Sequence, residues 1–160
     1  MQKKSFPLYT EDLLIKGYNC GEAVVRVLSR ELDLEVSNDV LKISAFTNGG
    51  GQAGGQCGIL NGGLIILSLM CGRYSNDTSR EPLQSLARKL TREFEDKFKS
   101  LLCREIRSEG FNASQLESIC NKRIVEGVGF LLDFFKRNSL EIKKKRPFKK
   151  TDSSCAFKCA

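Results

Sequence analysis

Seven cysteines and no histidine define the chemistry open to this chain of 160 residues. The thiols are Cys20, Cys57, Cys71, Cys103, Cys120, Cys155 and Cys159. Imidazole is the usual general base near neutral pH and the commonest metal ligand. Without it, a Ser-His-Asp triad, a Cys-His dyad, a His-containing zinc site and His-ligated haem cannot be assembled from this chain alone. No two cysteines stand in Cys-x-x-Cys spacing, which excludes zinc-ribbon and thioredoxin-type motifs. The Asp and Glu residues form no constellation that asks for acid/base work. Sulfur is the reactive element that remains.

One cysteine has an unusual neighbourhood. Residues 48 to 58 read Asn-Gly-Gly-Gly-Gln-Ala-Gly-Gly-Gln-Cys-Gly, where glycines permit left-handed backbone and close approach. An apolar helix should start at Gln56 or Cys57, so the Cys57 thiol would face unpaired N–H groups and the positive end of a helix dipole, which favours thiolate. On that basis Cys57 is the sulfur expected to react first, and Gly54, Gly55 and Gly58 are the glycines whose backbone could approach a bound group. The other reading makes the glycines helix-packing residues and Cys57 a small buried apolar side chain. A phosphate loop is not indicated, because no Lys-Ser/Thr ends the segment and no Lys or Arg lies between Ile43 and Gly72.

The order of these features resembles the C-GCAxxG-C-C family, described as redox-active proteins of about this length. Gly17-Tyr18-Asn19-Cys20 is similar to the family's first-helix Gly-Tyr-Asn-Cys, and Cys57-Gly58-Ile59-Leu60-Asn61-Gly62 to its Cys-Gly-Ala-x-x-Gly. Ile59 stands where the family has Ala. Cys103-Arg104-Glu105 matches its third cysteine and Cys120 its fourth, over about Leu8 to Phe135. The resemblance implies an all-α bundle with Cys20, Cys57, Cys103 and Cys120 gathered in space for a redox role. It supplies no reaction. Their spacings of 37, 46 and 17 residues mean that any shared site must be built by tertiary folding.

Apolar periodicity supplies the elements that would position these thiols. A first helix from an N-cap at Thr10 carries Leu13, Leu14, Tyr18, Val24, Val25, Leu28 and Leu32, weakened by Gly17 and Asn19 so that it is one bent helix or two. Ser37 and Asn38 cap a short helix ending at Asn48. The third, to Cys71, is apolar on nearly every side and should be the buried centre. The fourth starts after Thr78 or Ser79 with Pro82 in its first turn and buries Leu83, Leu86, Leu90, Phe94 and Phe98. A connector from Cys103 to Asn112 leads to a fifth, Ser114 to Arg137. Nothing alternates like a strand. The expected fold is thus all-α, a compact bundle of about five helices with a Gly-rich loop before a buried central helix.

Two regions follow. Residues 1 to 138 form the helical cysteine domain, and 139 to 160 a basic tail whose seven Lys and Arg outnumber Glu141 and Asp152 by five, leaving only about +2 of the net +7 on the body. Nothing in that body asks for nucleic acid. Cys71 reads as core filler, and Cys155 and Cys159 as a tail pair. The N-terminus has no signal-peptide core and no apolar run reaches the ~20 residues of a membrane span, so a cytoplasmic setting with reduced thiols is expected.

Three functions remain open. One is thiol/disulfide chemistry, with Cys57 attacking and Cys20, Cys103 or Cys120 resolving, toward a redox partner or small molecule. Another is a metal or iron–sulfur cluster held by the same four thiolates as cofactor. The last is a binding module or homo-oligomer subunit with structural cysteines.

Overall fold

The computed structural model describes residues 4–107 and 116–139. Helix α1 (Phe6–Ile15) starts earlier than the apolar pattern indicates, with Pro7 in its first turn. Thr10, the expected N-cap, is inside it and buried, its Oγ1 donating to the Phe6 carbonyl at 2.7 Å. The expected first helix is two helices. Gly17 takes φ +86°, and Asn19 then caps α2 (Cys20–Glu31) in a reciprocal box: its Oδ1 accepts from the Glu22 N–H at 3.1 Å while the Glu22 carboxylate accepts from the Asn19 N–H at 3.0 Å. Cys20 is therefore the first residue of a well-capped helix.

Helix α3 (Asn38–Ser44) is capped by Ser37 and stops short of the expected Asn48. The glycine segment contains one left-handed turn, α4 (Gly49–Gln52), in which Gly49, Gly50 and Gly51 have φ of 55°, 59° and 72°, a run that β-carbons would strain. Helix α5 (Gly58–Cys71) follows with Cys57 as its N-cap, and α6 (Glu81–Phe98) buries Leu86, Leu90, Phe94 and Phe98 along one stripe. A single turn, α7 (Cys103–Ile106), and the long α8 (Leu116–Arg137) complete the chain. The expected five helices thus become more, because the first divides and the glycine segment and connector each hold one turn. No strand occurs among the described residues, only an isolated bridge between Gln56 and Leu102. The end of the expected connector, the Ser114 start and the tail with Cys155 and Cys159 lie outside the described residues.

Helix α5 packs against α2, α6 and α8, and α2 against α1, α3 and α8. The two share the centre: Ala23, Val24, Val25, Val27 and Leu28 are fully enclosed in α2, whereas Leu69 near the end of α5 is 46% exposed. Phe94, Phe98 and Phe130 pack edge to face or tilted, 4.5 to 6.0 Å between centroids, closing the α6–α8 contact. Ile59 fits against α8 because it faces Gly127, where a β-carbon would lie 2.5 Å from Ile59 Cγ2. No helix among the described residues is long and apolar enough to cross a membrane.

Candidate functional site

Four thiols from four different elements meet at one end of the bundle. Cys20 opens α2, Cys57 caps α5, Cys103 opens α7 and Cys120 lies near the start of α8. Cys20, Cys103 and Cys120 line a cavity of about 570 Å³ together with Tyr18, Asn48, Gly49, Gln52, Arg107 and Asn121. Cys57 lies behind them, within electrostatic range of all three. No disulfide joins the described cysteines. Cys71 is at the far end of α5, buried, and lines a larger, mostly apolar groove of about 810 Å³ between α3, α5 and α6 in which no other cysteine is found among the described residues.

Backbone pairing of the glycine segment with the α7 turn brings the sulfurs together. The Cys57 N–H donates to the Leu101 carbonyl at 2.8 Å and the Cys103 N–H to the Gly55 carbonyl at 2.7 Å, with Gly55 in turn donating to Gly49 at 2.9 Å. The α7 turn is held by Ser100, whose Oγ accepts from the Leu102 N–H and donates to the Glu105 carboxylate. Gly58 has a steric role: a β-carbon there would sit 2.3 Å from Cys20 Sγ and 3.1 Å from Asn48 Cα. Gly54, Gly55 and Gly58, the glycines expected to approach a bound group, do not line this cavity; Gly55 pairs with Cys103 and Gly58 packs on Cys20. Asn48, Gly49 and Gln52 line it instead. Asn48 Oδ1 is buried there with no hydrogen-bond partner.

Electrostatics reverses the expectation for Cys57. The N–H groups of Ile59 and Leu60 do favour its thiolate, but burial outweighs them and pushes its pKa up to about 11. Cys20 is pushed up to about 12, first by burial and then by the neighbouring charges that Cys57, Cys103 and Cys120 would carry, against a weaker lowering by the Gly21 N–H. Dipoles at helix ends act over about one turn with modest strength, whereas enclosure removes the water that would solvate the anion. Cys103 and Cys120 are also raised by burial, but the Arg107 guanidinium opposes it at both, with a hydrogen bond as well as its charge at Cys103. Neutral thiols are thus the resting state. The two beside Arg107 have the best route to thiolate.

Arg107 was not legible as a site residue. It is 5% exposed and is the one formal charge among the described cavity residues, which include no Asp or Glu. Its local signal was Cys103-x-x-x-Arg107, the spacing that sets two side chains on one face of a helical turn.

No three of the described Cys, Asp and Glu side chains are arranged to hold a metal ion. The metal or iron–sulfur centre expected of Cys20, Cys57, Cys103 and Cys120 would need these sulfurs, which come from four separate elements, to close on one point.

A family model described as "Putative redox-active protein (C_GCAxxG_C_C)" covers residues 18–134, which span all four thiols and Arg107. Neither the curated proteins nor the solved structures contain a match.

Proposed function

The chain belongs to the C_GCAxxG_C_C family of redox-active proteins, and from that premise we propose that it performs thiol–disulfide exchange at Cys20, Cys57, Cys103 and Cys120. Cys103 is the attacking sulfur, because it lines the cavity, receives a hydrogen bond from Arg107 and is felt electrostatically by each of the other three. Cys120, which shares both the cavity and Arg107, resolves. Thiolate is the nucleophile in such exchange, so the guanidinium that favours it directs attack to these two sulfurs. Cys20 and Cys57, the more strongly raised pair, retain their protons.

The reaction is R–S–S–R plus two cysteine thiols giving one intramolecular disulfide and two R–SH. Cys103 displaces the first R–SH and forms a mixed disulfide; Cys120 then attacks the Cys103 sulfur and releases the second. The observation that carries this reading is the meeting of four thiols distant in sequence, three of them lining one cavity with the buried Arg107 and no carboxylate among its described residues.

The test uses anaerobically purified, reduced protein treated with bis(2-hydroxyethyl) disulfide. Two thiols should be lost per chain, with a Cys103–Cys120 peptide linkage found by mass spectrometry. Cys103→Ser should abolish the reaction and Cys120→Ser should accumulate the mixed disulfide, whereas Cys71→Ser should behave as the parent chain. Stoichiometric iron or zinc in the purified protein, or equal activity of Cys103→Ser, would overturn the proposal.

A further inference from the structure

Among the described residues, Asp33, Gln52 and Lys99 bear a β-carbon yet adopt positive φ. Two of them have an ordinary reason. Asp33 follows the C-cap of α2 and Lys99 is the C-cap of α6, and helices commonly end on a left-handed residue. Gln52, at φ 65°, instead closes the left-handed turn of the glycine segment, where the other positive-φ residues, Gly49, Gly50, Gly51 and Gly54, are all glycine. Glycine at position 52 would hold the same backbone without strain, so what glutamine adds there is its side chain, and a strained residue at a reactive centre points to use of that side chain. Gln52 lines the thiol cavity.

Its carboxamide is one of four in the lining, with those of Asn19, Asn48 and Asn121. The Asn19 amide is committed, to the Glu22 N–H and the Ala45 carbonyl. The side-chain amides of Gln52 and Asn121 hydrogen-bond to no other described residue, and Asn48 Oδ1 is buried with no partner. Buried polar groups are nearly always satisfied, so Asn48 leaves an acceptor open to a donor. A carboxamide carries two N–H donors and an acceptor oxygen, and another amide answers both. The volume of about 570 Å³ lies within the ~300–1,000 Å³ of small-molecule sites, which leaves room for a disulfide with substituents on both sulfurs.

Resting on the thiol–disulfide reading, we propose that the molecule reduced in this cavity is a small disulfide bearing amide groups, selected by the carboxamide of Gln52. The amide N–H groups of the substrate supply donors to the open acceptors of Gln52 and Asn48, and its carbonyls accept from the Gln52 and Asn121 amides. A disulfide of the same length bearing esters has the carbonyls but no donor, and leaves those acceptors unanswered. The bonds and electrons balance as above: the substrate S–S breaks, the Cys103–Cys120 S–S forms, and two thiol protons leave with the two amide-bearing R–SH products.

Two neutral disulfides of equal length isolate the donor: 3,3′-dithiodipropionamide and dimethyl 3,3′-dithiodipropionate. Each rate with the full reduced chain is divided by the rate of the same disulfide with free cysteine, which removes the leaving-group effect. The corrected rate of the diamide should exceed that of the diester by roughly three- to tenfold, the worth of one hydrogen bond, and because both are uncharged the ratio should not change with salt. Gln52→Met keeps the left-handed β-carbon and removes the amide; Gln52→Gly removes both. Either should bring the ratio close to one, while Gln52→Gly should melt no lower than the parent chain because its backbone is relieved. A purely structural glutamine would leave the ratio untouched. A ratio that survives both variants, or a Gln52→Gly chain that melts well below the parent, overturns the role given to Gln52. Equal corrected rates for the two disulfides with the unaltered chain overturn the selection of amides while leaving thiol–disulfide exchange standing. No reduction of either overturns both.

Discussion

Replacing Gly58 with alanine sets two effects of similar size against each other. Alanine in place of a helical glycine gains at most about 1 kcal/mol of helix propensity, and less at the first residue of α5. Against that, the added β-carbon would lie 2.3 Å from Cys20 Sγ, 3.1 Å from Asn48 Cα and 3.3 Å from the Gly21 nitrogen. The first contact is more than ~1 Å inside an ordinary separation of about 3.5 Å. Cys20 cannot easily give way, since the Asn19–Glu22 box fixes its backbone. Overpacking of this kind costs ~1–3 kcal/mol, so the clash wins by roughly 1 kcal/mol, and the melting temperature should fall by about 2–4 °C for a chain of this size. The assay is urea and thermal unfolding under reducing conditions, run as a double-mutant cycle with Cys20→Ala. Removing the sulfur should recover part of the loss, with a coupling of at least ~0.5 kcal/mol, and only part, because Asn48 and Gly21 remain. The reasoning is refuted if Gly58→Ala matches the parent chain in stability, or if its cost is unchanged when Cys20 is alanine.

The same geometry gives a pH dependence. Cys20 is raised to about 12 and Cys57 to about 11 from 9.0, so above pH 9 the unfolded chain has released protons that the folded chain still holds; stability should fall between pH 9 and 11–12, by up to ~1.4 kcal/mol per pH unit per thiol. Urea midpoints at pH 8 and 10 should separate, and the separation should narrow in Cys20→Ser/Cys57→Ser; equal narrowing in a Cys71→Ser control would refute the assignment. Asn19→Ala should cost ~1 kcal/mol and weaken the docking of the α2 start on the Ala45 carbonyl, read as faster amide exchange at Glu22 and Ala23; unchanged exchange would count against the cap. Phe94→Ala should cost ~3–5 kcal/mol, because Phe94 is fully buried against Phe98 and Phe130, and a loss under 1 kcal/mol would mean that the α6–α8 contact is not packed as described.

The helices themselves were legible. The stripe from Leu83 to Phe98, the Ser37 cap and the start of α5 after Cys57 are local features, fixed by periodicity and by residues a few positions apart. The split between α1 and α2 was half legible, since Gly17 and Asn19 marked a weakness, but the Asn19-x-x-Glu22 box that makes Cys20 a helix start was not read. The set of four thiols came from their order along the chain; their meeting beside one cavity, which three of them line, came only from folding, through the pairing of Cys57 with Leu101 and Cys103 with Gly55. Arg107 and the ranking of the sulfurs depended wholly on tertiary structure. A helix end and its favourable dipole can be read from sequence. How much water the rest of the chain excludes cannot, and at Cys57 that exclusion outweighs the dipole, because solvation of an anion is lost to every neighbour that encloses it, including those 46 and 63 residues away at Cys103 and Cys120.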